Sequence, residues 1–221
     1  MPFAGDLTST ANGTLALSVV AAIVYTFMHD AVPSLRRTVA KTAPVLLLAI
    51  LSVLEGAPGL LTVGLLASAA GDAALSREGE RPFLAGLAAF LLAHILYIAL
   101  FLAFWSGFGF FAAEPWRAVA TIALVAFCAL MLRRLLPALP GGMRPPVVAY
   151  VTAITLMGIA AFAVPGYAIA AGAALFIASD AMLSARKFLL SEASPHRSWT
   201  GLAVWILYYA AQLLIALAFL L

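Results

Sequence analysis

The chain has 221 residues, of which 65% are hydrophobic and only 10% charged. A soluble domain is about half apolar and a quarter charged, so this composition excludes one; with about 20 residues per transmembrane helix, the length holds about eight spans and no sizeable soluble domain. A single cysteine, Cys128, excludes an intrachain disulfide and a multi-cysteine zinc site, and a net charge of +3 reads as basic loops on one side of a membrane rather than as a nucleic-acid surface.

Eight apolar stretches, each bounded by charge, proline or glycine, cover 13–29, 38–54, 59–76, 83–105, 116–133, 146–164, 166–186 and 199–221. Helix is the only state that pairs their backbone groups within lipid. The sequence therefore predicts an all-α, polytopic membrane protein: a single domain, 1–221, built as a bundle of eight transmembrane helices. The first twelve residues carry no Lys or Arg, whereas a signal peptide normally opens on a basic region, so the first stretch is expected to be a retained helix. Trp105 and Trp116 flank one connection, where an interfacial aromatic belt would put them. Arg36, Arg37, Lys41, Arg77, Arg81, Arg133, Arg134, Arg144, Arg186, Lys187 and Arg197, eleven of the twelve Lys and Arg residues, fall in or beside connections on one side. Only Arg117 falls on the other. The positive-inside rule then puts both termini outside and the basic loops in the cytoplasm. With no targeting signal and a composition rich in Ala, Leu and Arg, a bacterial inner (plasma) membrane is expected.

The sequence repeats itself in part. Ser68-Ala-Ala-Gly-Asp-Ala-Ala-Leu-Ser76 aligns with Phe176-Ile-Ala-Ser-Asp-Ala-Met-Leu-Ser184, and Gly86-Leu-Ala-Ala-Phe90 with Gly201-Leu-Ala-Val-Trp205. That register sets Asp72 on Asp180, His94 on Tyr209 and Tyr97 on Gln212. Segments 3–4 thus match segments 7–8. An even number of helices separates the copies, so both cross in the same sense, as parallel repeats about an axis along the membrane normal do. Asp72 and Asp180 are then expected at one depth, where they can face each other.

Those two acids lie inside otherwise apolar spans, Asp72 five residues before Arg77 and Asp180 six before Arg186. An intramembrane carboxylate costs about 2.5–3.5 kcal/mol on the insertion scale and turns to the bundle interior or a wet cavity. Lys41 enters from the same side as a counter-ion, which on its own is a structural role. Two carboxyls in one site share a proton and supply an acid and a base. His94 with Tyr97, and Tyr209 with Gln212, each share one helix face about midway through a span; interhelical hydrogen bonding is the alternative to a site role. Gly64, Ser68 and Gly71 form a small-residue packing stripe. His29 and His196 lie near loops, and Glu55, Glu78, Glu80, Glu114 and Glu192 carry no assigned role. One buried histidine beside two acids makes a poor zinc site, so neither metal nor cofactor is expected. Motifs for nucleotide phosphates, zinc hydrolysis and serine hydrolysis are absent.

Taken together, Lys41 with nearby Pro44, Gly71-Asp72, Phe83-x-x-Gly86-Leu-x-x-Phe90-x-x-x-His94-x-x-Tyr97, Ser179-Asp180 and Tyr209-x-x-Gln212-Leu213 resemble the YhhN family of membrane proteins, which includes the animal lysoplasmalogenases. The resemblance runs from about Lys41 to Ile215, with one departure: Lys41-Thr-Ala-Pro44, where proline is expected directly after the lysine. It implies eight helices and a hydrolase that cleaves the vinyl ether of a lysolipid to a fatty aldehyde and glycerophosphocholine or glycerophosphoethanolamine. Asp72 and Asp180 would be catalytic, with Lys41, His94, Tyr97, Tyr209 and Gln212 binding substrate or supporting them. The partners implied are a lysolipid drawn from the bilayer and the membrane lipids themselves; the oligomeric state stays open. The competing reading is a small proton-coupled transporter or lipid-binding protein, since parallel repeats and intramembrane acids also suit transport. An intramembrane aspartyl protease ranks last, because the longer motif expected around each acid is missing.

Overall fold

The computed structural model describes residues 2–221, among which every regular element is helical. The helices are α1 (Thr10–Thr26), α2 (Leu35–Leu54), α3 (Gly59–Leu75), α4 (Glu80–Ala103), α5 (Gly109–Ala113), α6 (Pro115–Leu135), α7 (Arg144–Phe162), α8 (Ala168–Phe188) and α9 (Arg197–Leu220). Each of the eight apolar stretches is thus a helix, and α5 is a short addition inside the Trp105–Trp116 connection. Local chemistry sets the boundaries. Ser9 and Ser34 cap α1 and α2 by accepting from the backbone N–H groups of Asn12 and Arg37. Prolines open α6 and α7 within the first turn, where a missing N–H leaves no bond unmade. The break between α7 and α8 lies at Pro165-Gly166, where Gly166 takes φ +86°, a conformation open mainly to glycine.

Among the described residues six helices, α2, α4, α6, α7, α8 and α9, are long and apolar enough to cross a membrane. α1 and α3 are equally apolar but have 17 residues each, about 25 Å of helix at 1.5 Å per residue, the short end of what spans a bilayer.

The chain divides into two compact units, residues up to Tyr97 with Gln212–Leu221, and Ile98–Ala211, so that α4 and α9 each contribute to both. In the first unit α1 packs on α2 and α2 on α3, around Leu48, Leu51, Leu61 and Leu65, all fully buried. The α2–α3 hairpin is pinned near both ends by hydroxyl pairs, Ser52 with Thr62 at 2.8 Å and Thr38 with Ser76 at 2.7 Å. Small residues bring α3 and α4 together: a Cβ at Gly71 would fall 2.6 Å from the Phe90 ring, and one at Gly86 2.6 Å from the Leu75 side chain.

In the second unit α6, α7 and α8 pack on one another. Gly158 of α7 sits where they converge, since a Cβ there would lie 2.7 Å from Leu124 of α6 and 2.8 Å from Ile177 of α8. Arg117, the lone cation of its side in the sequence, is fully buried in this unit. Its guanidinium donates to the carbonyls of Phe162 (3.1 Å), Val164 (2.9 Å) and Gly166 (3.0 Å) and to Glu114 Oε2 (2.8 Å). The Phe110 and Trp116 rings cover it at 4.4 and 4.6 Å. The last carbonyls of a helix have no partner within it; Arg117 supplies the donors for the end of α7 and the turn after it. In return, its hydrogen bond holds the Glu114 carboxyl below the ordinary glutamate range.

Replacing Arg117 by Met leaves buried carbonyls without their donor, and stability is expected to fall by about 1–3 kcal/mol for each acceptor left unpaired. Lys, with no planar fork, restores a minor part. Thermal unfolding of the purified protein in detergent measures both variants.

Candidate functional site

In the first unit the acid of α3 meets the lysine of α2. Asp72 is 1% exposed and its Oδ1 lies 3.5 Å from Lys41 Nζ. Lys41 keeps its side chain 15% exposed, consistent with a long stem running from the helix boundary. On α4, His94 and Tyr97 are both fully buried. The Tyr97 hydroxyl donates to Gln212 Oε1 of α9 at 2.6 Å, and its ring lies over Gly64, where a Cβ would come within 2.8 Å. Gln212 Nε2 is buried with no hydrogen-bond partner among the described residues.

In the second unit Asp180 of α8, 9% exposed, accepts a 2.6 Å hydrogen bond from the hydroxyl of Tyr150 on α7. The neighbouring Ser179 hydroxyl donates to the Val204 carbonyl of α9 at 2.9 Å. Tyr209 is nearly buried and stacks on Trp205, centroids 6.0 Å apart. Asp180 and Tyr150 form part of the wall of an open cleft between α6, α7 and α8. Its other polar lining groups are the Ser184 hydroxyl and the Cys128 thiol; the rest is apolar, including Phe127, Ile154 and Ile177. Among the described residues no three His, Cys, Asp or Glu side chains come together as a metal ion requires.

The structure pairs Lys41 with Asp72, Tyr97 with Gln212, and Asp180 with a residue the sequence reading passed over. Tyr150 had a signal. It lies six residues from Arg144, as Asp180 lies six from Arg186, which puts both at one distance from the basic ends of antiparallel neighbours. It is also the seventh residue of α7, counting 144–150, as Lys41 is the seventh of α2, counting 35–41. Each acid therefore meets the same position of the helix preceding its own.

The arrangement holds two carboxyls inside apolar helices with different partners, one an ammonium and one a phenol, the second beside an apolar cleft. A carboxyl in such a setting can donate or accept a proton away from bulk water. The model of the YhhN family matches residues 36–219. The chain is 36% identical over 186 residues to the human (Homo sapiens) protein lysoplasmalogenase TMEM86B, a match covering 80% of this chain and 73% of the relative. No solved structure matches the chain.

The Lys41–Asp72 pair is testable without any assay of function. Lys41→Met strands a buried charge and is expected to lower stability by several kcal/mol, as removal of one partner of a buried pair does. Asp72→Asn in the same molecule should recover about 1–3 kcal/mol of that loss through the coupling of the pair. A double-mutant cycle on thermal or denaturant unfolding checks it; additive losses would show that the pair is not coupled.

Proposed function

The chain belongs to the YhhN family, and from that premise we propose that it is a lysoplasmalogenase-type membrane hydrolase, cleaving the vinyl ether bond of a lysolipid to a fatty aldehyde and glycerophosphocholine or glycerophosphoethanolamine. The observation that carries the reading is the match, over most of the chain, to a relative named for that reaction. The eight apolar helices are taken as eight spans with a parallel repeat, both termini outside and the basic loops in the cytoplasm of a bacterial inner membrane.

The chemistry needs little equipment. The double-bond carbon not attached to the ether oxygen takes a proton from a carboxylic acid, which leaves an oxocarbenium ion stabilised by that oxygen. Water adds to that cation and loses a proton to a carboxylate. The hemiacetal then collapses, its C–O bond to glycerol breaking as the aldehyde forms and the glycerol oxygen regains a proton. Asp72 and Asp180 are the two carboxyls of this scheme. Their partners support an order. An ion pair such as Lys41–Asp72 is lost when its acid takes up a proton, whereas a phenol such as Tyr150 bonds a carboxyl in either protonation state. In the proposed reaction Asp180 gives the proton and, as the carboxylate that remains, takes one back from water, while Asp72 stays ionised. His94, Tyr97, Tyr209 and Gln212 orient water or the ether oxygen.

Asp72→Asn and Asp180→Asn are each expected to cut aldehyde release by about 10²–10⁴-fold, the range of general acid–base catalysis, while the protein still inserts and unfolds cooperatively. Purified enzyme in detergent with a lysoplasmalogen as substrate gives the measurement. Near-normal turnover in both variants would end the proposal, and a wild-type protein that makes no product in detergent would favour a transporter.

A further inference from the structure

The cleft between α6, α7 and α8 has a direction. On α8, Asp180 and Ser184 line it, and Lys187 lies seven residues beyond the first and three beyond the second. On α6, Phe127 and Met131 line it, and Arg134 follows at the same two spacings. On α7, Val151 lines it, and Arg144 lies seven residues before. Positions three and seven apart share one stripe of a helix. Each wall of the cleft thus carries, about 10 Å along its helix from a lining residue, a cation on the lining stripe; on α6 the buried Leu135 beside Arg134 also lines it. Arg134, Arg144 and Lys187 are all exposed. Arg133 and Arg186 are off these stripes, and Arg186 packs its guanidinium against Gly201.

In the other direction the lining turns apolar. Ile177 lies one turn beyond Asp180, Ile154 one turn beyond Tyr150, and Phe127 one turn beyond Met131, all on the side away from the cations. Phe127 is 43% exposed at the outer edge of α6, so the cleft opens toward the lipid side. Its polarity therefore runs in three zones: cations, then Asp180, Tyr150 and Ser184, then hydrocarbon. A single-chain glycerophospholipid has the same order: phosphate, glycerol with its first chain bond, then alkyl chain. A topology anchor alone requires cations near the helix ends, not on the cleft's own stripes.

We propose that a single-chain phospholipid binds in the α6–α7–α8 cleft, its phosphate against Arg134, Arg144 and Lys187, and its chain running past Asp180 and Tyr150 toward Ile154, Ile177 and Phe127. The inference takes its lipid class from the proposed function and gives that substrate a place and an orientation.

Photolabelling of the full-length protein in detergent tests it. The probe is an alkyl-ether lysophosphocholine with a diazirine in its chain; it has no vinyl ether and is not turned over. Most adducts are expected in residues 127–131, 151–154 and 177–181. The combined variant Arg134→Glu, Arg144→Glu and Lys187→Glu should reduce labelling at least fivefold and change labelling by the matching phosphate-free alkylglycerol less than twofold. Ile177→Trp should reduce both. Should the charge-reversed protein not fold, competition on the wild type decides: unlabelled lysophosphocholine should suppress labelling at least fivefold and alkylglycerol should not. Adducts spread over exposed apolar positions outside the cleft, such as Val119 and Val148, or labelling indifferent to the phosphate, would overturn the assignment. The outcome is separable from the hydrolase reading. Labelling as expected without aldehyde release from any lysoplasmalogen leaves the lipid site and removes the enzyme. Aldehyde release with adducts elsewhere does the reverse.

Discussion

A carboxyl inside an apolar helix costs several kcal/mol unless a neighbouring helix offers it a polar partner. That requirement organises both halves of this protein. Asp72 and Asp180 sit in helices whose other residues are almost all apolar, and each is met by the helix just before it in the chain, Asp72 by Lys41 and Asp180 by Tyr150. A hairpin is the shortest way to fix such a meeting, because a short connection holds the register of two antiparallel helices. The α2–α3 hairpin adds the Ser52–Thr62 and Thr38–Ser76 hydroxyl pairs near its two ends, so the ion pair lies in a frame that resists sliding. The α7–α8 hairpin obtains the same rigidity from Arg117, which binds carbonyls on both sides of the Pro165-Gly166 break.

Close approach of backbones is the second condition, because lipid tails give no hydrophobic drive for helices to associate. Gly71 admits the Phe90 ring, Gly64 the Tyr97 ring, and Gly158 the side chains of Leu124 and Ile177. Gly71 precedes Asp72 directly, so the contact that seats α4 against α3 lies one residue from the acid. Tyr97 is held from two directions, its ring by Gly64 and its hydroxyl by Gln212. Packing and polar pairing here share residues rather than dividing the helices between them.

Much of this was legible in the sequence. Apolar runs bounded by charge and glycine mark eight helices because hydrocarbon leaves the backbone no other choice. Lys41 and Asp72 stood out because charged residues are rare in such runs. Tyr150 did not, since a tyrosine in an apolar helix looks the same whether its hydroxyl reaches an interface or an acid. Arg117 was visible only as an exception to the charge pattern; its partners are main-chain carbonyls, and these leave no mark in the sequence. The short helix α5 escaped notice because its five residues, Gly109–Ala113, are too few to show a period. The cleft was invisible for a related reason: it arises from three helix stripes that are each ordinary alone.

The cations show why charge counting reads topology well and function poorly. Arg37 donates to the carbonyls of Ser76 and His29, at the ends of α3 and α1, and Arg197 to those of Arg186 and Leu190 at the end of α8. Both cap orphan carbonyls at helix C-termini, where a positive charge also suits the helix dipole. Arg117 does the same for α7. In the sequence Arg37 and Arg197 are indistinguishable from Arg134 and Arg144, which carry their charge at the surface. A cation whose donors are satisfied by backbone has fewer left for an anion, whereas one that extends into the interfacial region keeps its fork for phosphate. The same residue type thus serves two ends of one problem: buried against carbonyls it closes a helix, and exposed beside a cleft it sets the sign of whatever enters.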